Sequence, residues 1–120
     1  MAVKTGGTRR GSTYKVVTDS ALTNTMIVDV TGSAGTFYGC ECVAGSGTIV
    51  VRFYDSTSAV AGTTVPLFSF LVPGSSTFSV NIPEGMPFTS GLSFNATQTD
   101  SDPATTTAPA ATSNLYVYTK

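Results

Sequence analysis

The chain has 120 residues, the size of one domain with its own core. Only 11% of them are charged, against about 25% in ordinary globular domains, and Thr, Ser and Gly fill the deficit. A net charge of −1 with no histidine argues against a nucleic-acid groove and excludes Ser-His-Asp and Cys-His nucleophile pairs.

Residues 1–13 are Gly, Thr, Ser and basic residues without periodicity. They read as a flexible N-terminal arm, or one that orders on a partner. Lys4, Arg9, Arg10 and Lys15 lie in or beside it, while Arg52 and Lys120 are the only cations in the rest of the chain, against seven acids. A basic arm on an acidic body suits docking on an acidic neighbour, so those four cations are the candidate partner-binding residues. Met1-Ala2-Val3-Lys4 opens with no apolar leader. The longest apolar run, 65–72, is broken by Pro66 and Ser69 and is far short of the roughly 20 residues that span a bilayer. Neither membrane nor nucleic acid is an expected partner.

The body, 14–120, reads as strands and turns. Residues 14–18 form a short strand, and Asp19-Ser20 turns the chain. Residues 24–31 form a second, with Met26, Val28 and Val30 on one face. Residues 37–55 read as one β-hairpin about the small-residue turn Ala44-Gly45-Ser46-Gly47. Pairing about that turn sets Cys42 against Ile49, Cys40 against Val51 and Tyr38 against Phe53, all six on one apolar face. The opposite face carries Glu41 near Arg52, which predicts a surface ion pair.

Residues 66–72 form the next strand, with Phe68, Phe70 and Val72 on one face. Pro73-Gly74 fits a type II turn, and 77–82 returns as a second hairpin with Phe78, Val80 and Ile82 inward. Pro83-Glu84-Gly85 reads as another turn, 87–98 as an extended run, 99–113 as a long polar loop, and 115–118 as the closing strand. With about eight short strands and no helical pattern, the expectation is an all-β chain: a single antiparallel β-sandwich, jelly-roll-like, with an N-terminal arm.

Little in this pattern points to chemistry. Cys40 and Cys42, two apart on one strand face, lie about 6.6 Å apart at Cα, a poor disulfide geometry. They read as small buried hydrophobes. Paired carboxylates such as Glu41 and Glu84 carry the remaining catalytic option, and Asp100-Ser-Asp102 is a minimal calcium-loop fragment. Glu41 reads better as the ion-pair partner of Arg52, and the aspartate pair lacks further oxygen ligands at set spacing. No enzyme activity, cofactor or metal is expected. The tyrosines, with Tyr54 and the 99–113 loop foremost, offer a carbohydrate-binding alternative.

From Thr31 onward the chain resembles small structural proteins of tailed bacteriophages. The resemblance rests on Gly35-Thr-Phe-Tyr-Gly39, Arg52-Phe-Tyr-Asp55, Gly62-Thr-Thr-Val-Pro66, Val72-Pro-Gly-Ser75, Pro83-Glu-Gly85, Phe88-Thr-Ser-Gly-Leu92 and the closing Leu-Tyr-Val-Tyr, in that order. It covers about three-quarters of the chain and excludes the arm. Phe-Tyr stands where Leu-Tyr is usual in those proteins. The resemblance implies a virion component made in the bacterial host cytoplasm: a capsid decoration (cement) protein, or an accessory protein of tail or head fibre. It implies the major capsid protein or other virion subunits as partners and a homo-oligomer, a trimer first. It implies no catalytic residues.

Overall fold

β-Branched and aromatic residues dominate the regular elements, as a pleated, half-buried surface requires. The computed structural model describes residues 3–6, 15–98, 109 and 112–120, with no helix among them. Its strands are β1 (Val3–Gly6), β2 (Lys15–Asp19), β3 (Gly35–Val43), β4 (Ile49–Asp55), β5 (Phe68–Val72), β6 (Thr77–Phe88), β7 (Leu92–Thr97) and β8 (Asn114–Thr119). All pairings are antiparallel. One sheet runs β1-β2-β8-β3-β6 and the other β5-β4-β7.

The two sheets share one core. Val17, Phe37, Cys40, Cys42, Leu115 and Val117 enter it from the first sheet; Ile49, Val51, Phe53, Val72, Phe94 and Ala96 enter from the second. Phe53 sits at its centre, with ring centroids 5.1 Å from Phe37, 5.0 Å from Phe68 and 5.9 Å from Phe94. Each such buried aromatic contributes about 1.5–3 kcal/mol through burial.

Four expectations change here. Residues 37–55 are not a hairpin: β3 pairs with β6 and β8, whereas β4 pairs with β5 and β7. The 44–48 turn instead carries the chain from one sheet to the other. The second presumed hairpin fails in the same way, since β5 and β6 also lie in different sheets. The two crossings run side by side. Ser75 N–H donates to Gly45 O (2.6 Å), Ala44 N–H to Ser76 O (2.9 Å), and Gly74 N–H to Thr48 Oγ1 (3.1 Å). The left-handed residue of the second crossing is Ser75 (φ 57°), not Gly74, so the type II turn is not formed. Gly74 is needed for a different reason: a Cβ there would lie 2.6 Å from Ser46 O.

The third change is the core register. Phe37 is fully buried and Tyr38 only half-buried, because the β3–β6 ladder slips between Phe37 and Gly39. Phe37 pairs with Met86 and Gly39 with Asn81, so residues 82–85 stand against Tyr38 alone. Pro83-Glu84-Gly85 is thus part of a wide bulge inside β6 rather than a turn between strands. Gly39 holds φ 144°, and a Cβ on it would collide with Val80 O. Tyr38 therefore leaves the predicted core set, and Phe37 takes its place.

The fourth concerns 24–31. It forms no strand; it runs beside β7, joined by the isolated bridge of Ile27 with Phe94 and by the hydrogen bond from Val30 N–H to Leu92 O (2.9 Å). Ile27 and Val30 pack against the core, while Val28 is exposed, so the predicted face is also shifted. The left-handed turn at Asp29 (φ 51°) breaks the alternation. At the N-terminus, Val3–Gly6 is a paired strand within the stretch read as an arm. Residues 7–14 lie outside the described residues, as do 99–108 and 110–111 of the expected polar loop.

Candidate interaction surfaces

The predicted partner-binding cations fall on one sheet edge or beyond the described residues. Lys4 stands in β1 opposite Thr18. Lys15 is exposed on β2 opposite Thr119. Thr36 and Lys120 exchange two backbone hydrogen bonds of 2.9 Å, which carries the chain's last cation to the same region. Lys15 and Lys120 flank a small cleft whose floor includes Thr31 and Ser33. Arg9 and Arg10 lie outside the described residues. The structure thus joins Lys15 to Lys120, a partner that sequence order could not supply because the two are paired through the fold.

Of the six predicted core residues, Cys40, Cys42, Ile49, Val51 and Phe53 are fully buried. Both cysteines are free. Burial pushes the Cys40 thiol up to about 12, with Cys42 beside it adding to the shift, and the Cys42 thiol up to about 11. Thiols held protonated in this way are poor nucleophiles and poor metal ligands. Among the described residues no three His, Cys, Asp or Glu side chains gather in a metal-binding group.

The outer face of β4 is not a surface. Val50, Arg52 and Tyr54 are all buried, each beside a polar residue of β7. Arg52 Nη1 donates to Thr97 Oγ1 (2.6 Å), Tyr54 Oη donates to Asn95 Oδ1 (3.2 Å), and Asn95 Nδ2 donates to Asn24 O (3.3 Å). Burial raises the Tyr54 hydroxyl, against the opposing pull of the Arg52 charge. This polar layer corrects two expectations. Arg52 is in the sheet opposite Glu41, so the predicted surface ion pair does not form. Tyr54 is buried, which removes it from any sugar-binding face.

Glu41 instead stands on the outer face of the first sheet between Tyr116 and Ser79. Burial, and then the Glu41 charge, raise the exposed Tyr118 hydroxyl. Glu84 is exposed in the β6 bulge.

Carboxylates elsewhere have structural duties. Asp55 accepts from Thr89 N–H (2.9 Å), Thr89 Oγ1 (3.1 Å) and Ser90 N–H (2.9 Å), and pins the β6–β7 connection to the end of β4. Ser93 Oγ accepts from Asp29 N–H (3.0 Å) and donates to Ser56 O (2.6 Å).

The surface that strand patterning misses is the β5–β6 side. Residues 56–83 contain no Asp, Glu, Lys or Arg. β5 ends the order of one sheet and β6 that of the other. Leu67 and Leu71 are exposed on or beside β5, and Val60 and Val65 are exposed in the loop that leads into it. The signal was present in the sequence as a 28-residue charge-free run between Asp55 and Glu84. Compared with known proteins, the chain matches no family model, no curated protein and no solved structure.

Proposed function

We propose that this protein is a non-enzymatic structural component of a tailed-phage virion, a decoration (cement) protein that stabilises the capsid by bridging shell subunits. The observation that carries the reading is the division of labour in the chain. The charged and polar groups of the body are spent on internal structure, as with Arg52, Asp55 and Asn95. Lys15 and Lys120 flank one cleft where β2 begins and β8 ends, and Lys4 stands farther along the same edge of the sheet, opposite Thr18. A stiff body with a basic edge can sit on an acidic shell surface and reach across a subunit boundary. The resemblance to phage structural proteins supports the same reading. The fold we assign to it is an eight-stranded, jelly-roll-like β-sandwich. The shared core, the two side-by-side sheet crossings and the placement of β8 between β2 and β3 support that assignment. The partners are the major capsid protein or another virion subunit, and the homo-oligomer expected is a trimer.

The test is co-sedimentation with particles of the phage that encodes the protein. Deleting residues 1–13 would also remove β1, so the double variant Arg9→Ala/Arg10→Ala is the sharper probe. It should keep its fold and bind particles more weakly, with the deficit largest at low ionic strength, where screening is least. Unchanged binding at low salt would overturn the role of the arm. Purified tails that retain the protein while heads lack it would move the reading to a tail accessory protein.

A further inference from the structure

We infer that the β5–β6 side of the molecule is the surface through which copies of this chain associate. Among the described strands β5 and β6 end their sheets, and both edges lie on one side, because the Phe70 and Phe78 rings meet across the gap at 4.8 Å. The side chains there point inward but are incompletely covered. Phe68, Phe70, Phe78, Val80 and Ile82 are only partly buried, whereas their neighbours Phe53, Cys40 and Cys42 are fully buried. The core is open along this seam. On the outer face of β5, Leu71 is 50% exposed and Val65, just before the strand, is 84% exposed.

The usual guards of an edge strand are missing. No charge and no proline interrupts β5 or residues 77–82, although native proteins protect such edges with both. Protection begins only at Pro83, Glu84 and the bulge, which limits the open length of β6.

Charge identifies the occupant. Where copies of one surface crowd around a symmetry axis, any charge close to that axis is repelled by its own copies. Residues 56–83 avoid that cost entirely, in a chain that otherwise carries seven acids. A partner of opposite charge would gain nothing from a neutral surface. A second copy with its own seam turned to the same axis covers the half-buried rings, and it is the occupant this surface suits.

Sedimentation of the isolated full-length protein tests this independently of particle binding. The native chain should sediment at a multiple of 12.3 kDa. Leu71→Asp puts identical charges at the contact and should weaken association by about a hundredfold or more, without loss of strand signal in circular dichroism. Ser69→Lys, also outward-facing on β5, is the second variant should Leu71→Asp fail to fold. Thr25→Lys, exposed beside β7 at the end of the second sheet opposite β5, should leave the oligomer intact. A native chain that stays at 12.3 kDa overturns the inference, as does an oligomer that survives a folded seam variant. A monomer that still binds particles sinks this inference alone, and an oligomer that does not bind them sinks only the virion reading.

Discussion

Asp19 and Asp55 both end a strand, yet their surroundings give them opposite signs in stability. Asp19 is fully buried. Its Oδ1 accepts from Ala21 N–H (3.0 Å), and its Oδ2 meets no donor among the described residues. Desolvation raises its carboxyl above the ordinary range, and the Ala21 hydrogen bond offsets this only in part. The folded state therefore holds the proton more tightly than the unfolded state, and stability falls as pH rises through the raised value. Asp55 is the reverse. Hydrogen bonds from Thr89 and then Ser90 lower its carboxyl, so its contribution is present above the ordinary carboxylate range and is lost in acid. Two variants separate the terms. Asp19→Asn keeps the acceptor and removes the buried charge, so it should be at least as stable as the native chain at neutral pH. That advantage should vanish as pH falls through the native Asp19 value. Asp55→Ala should cost about 0.5–1.5 kcal/mol at neutral pH and progressively less in acid. Thermal melts of the two variants across acid pH check both; an Asp19→Asn penalty that grows at neutral pH would show that Oδ2 has a partner.

At the scale of elements, the bulge at Gly39 sets the register of the first sheet. A one-residue shift in register reverses every side chain downstream; the slip here lets Phe37 and Cys40 both face the core although they are three apart. Gly39→Ala would force an L-residue into φ 144° and drive a methyl group into Val80 O. The expected loss is about 2 kcal/mol or more, read as a melting temperature lower by about 8 °C or more. A neutral substitution would show that the bulge relaxes. The same bulge explains how far the fold could be read from sequence. Strand positions were legible, because alternation and β-branched residues mark 15–19, 35–43, 49–55 and 68–72 directly. Pairing was not. Cys40, Cys42, Ile49, Val51 and Phe53 point inward whether β3 and β4 lie side by side in one sheet or face each other across two, so the pattern cannot separate hairpin from crossing. The burial of both faces of β4 was the distinguishing feature, and Arg52 and Tyr54 disguised it as an exposed polar face. The basic edge was half legible: Lys4 and Lys15 stood out by number, while Lys120 joined them only through the ladder to Thr36.

For the molecule as a whole, the two crossings make the sheets one cooperative unit. β3 and β4 belong to different sheets but are consecutive in the chain, and so are β5 and β6. The sheets cannot separate without opening the Phe37–Phe53–Phe68 cluster between them, and the two crossings, joined to each other at Gly45–Ser75 and Ala44–Ser76, form one short paired corner that holds them together. Opening one sheet alone would expose the shared core without the gain in chain entropy that full unfolding brings, so a partly open state is disfavoured. Cys40 and Cys42 report on this directly, because they are buried between the sheets with thiols near 12 and 11. At mildly alkaline pH both should resist a thiol reagent in the native protein by a factor of about a thousand or more relative to the unfolded chain. Across a denaturant series, both should become reactive with the same midpoint as the loss of strand signal. Labelling of either cysteine at lower denaturant would mean that the first sheet opens on its own, and that the crossings tie the two sheets together less tightly than their hydrogen bonds require.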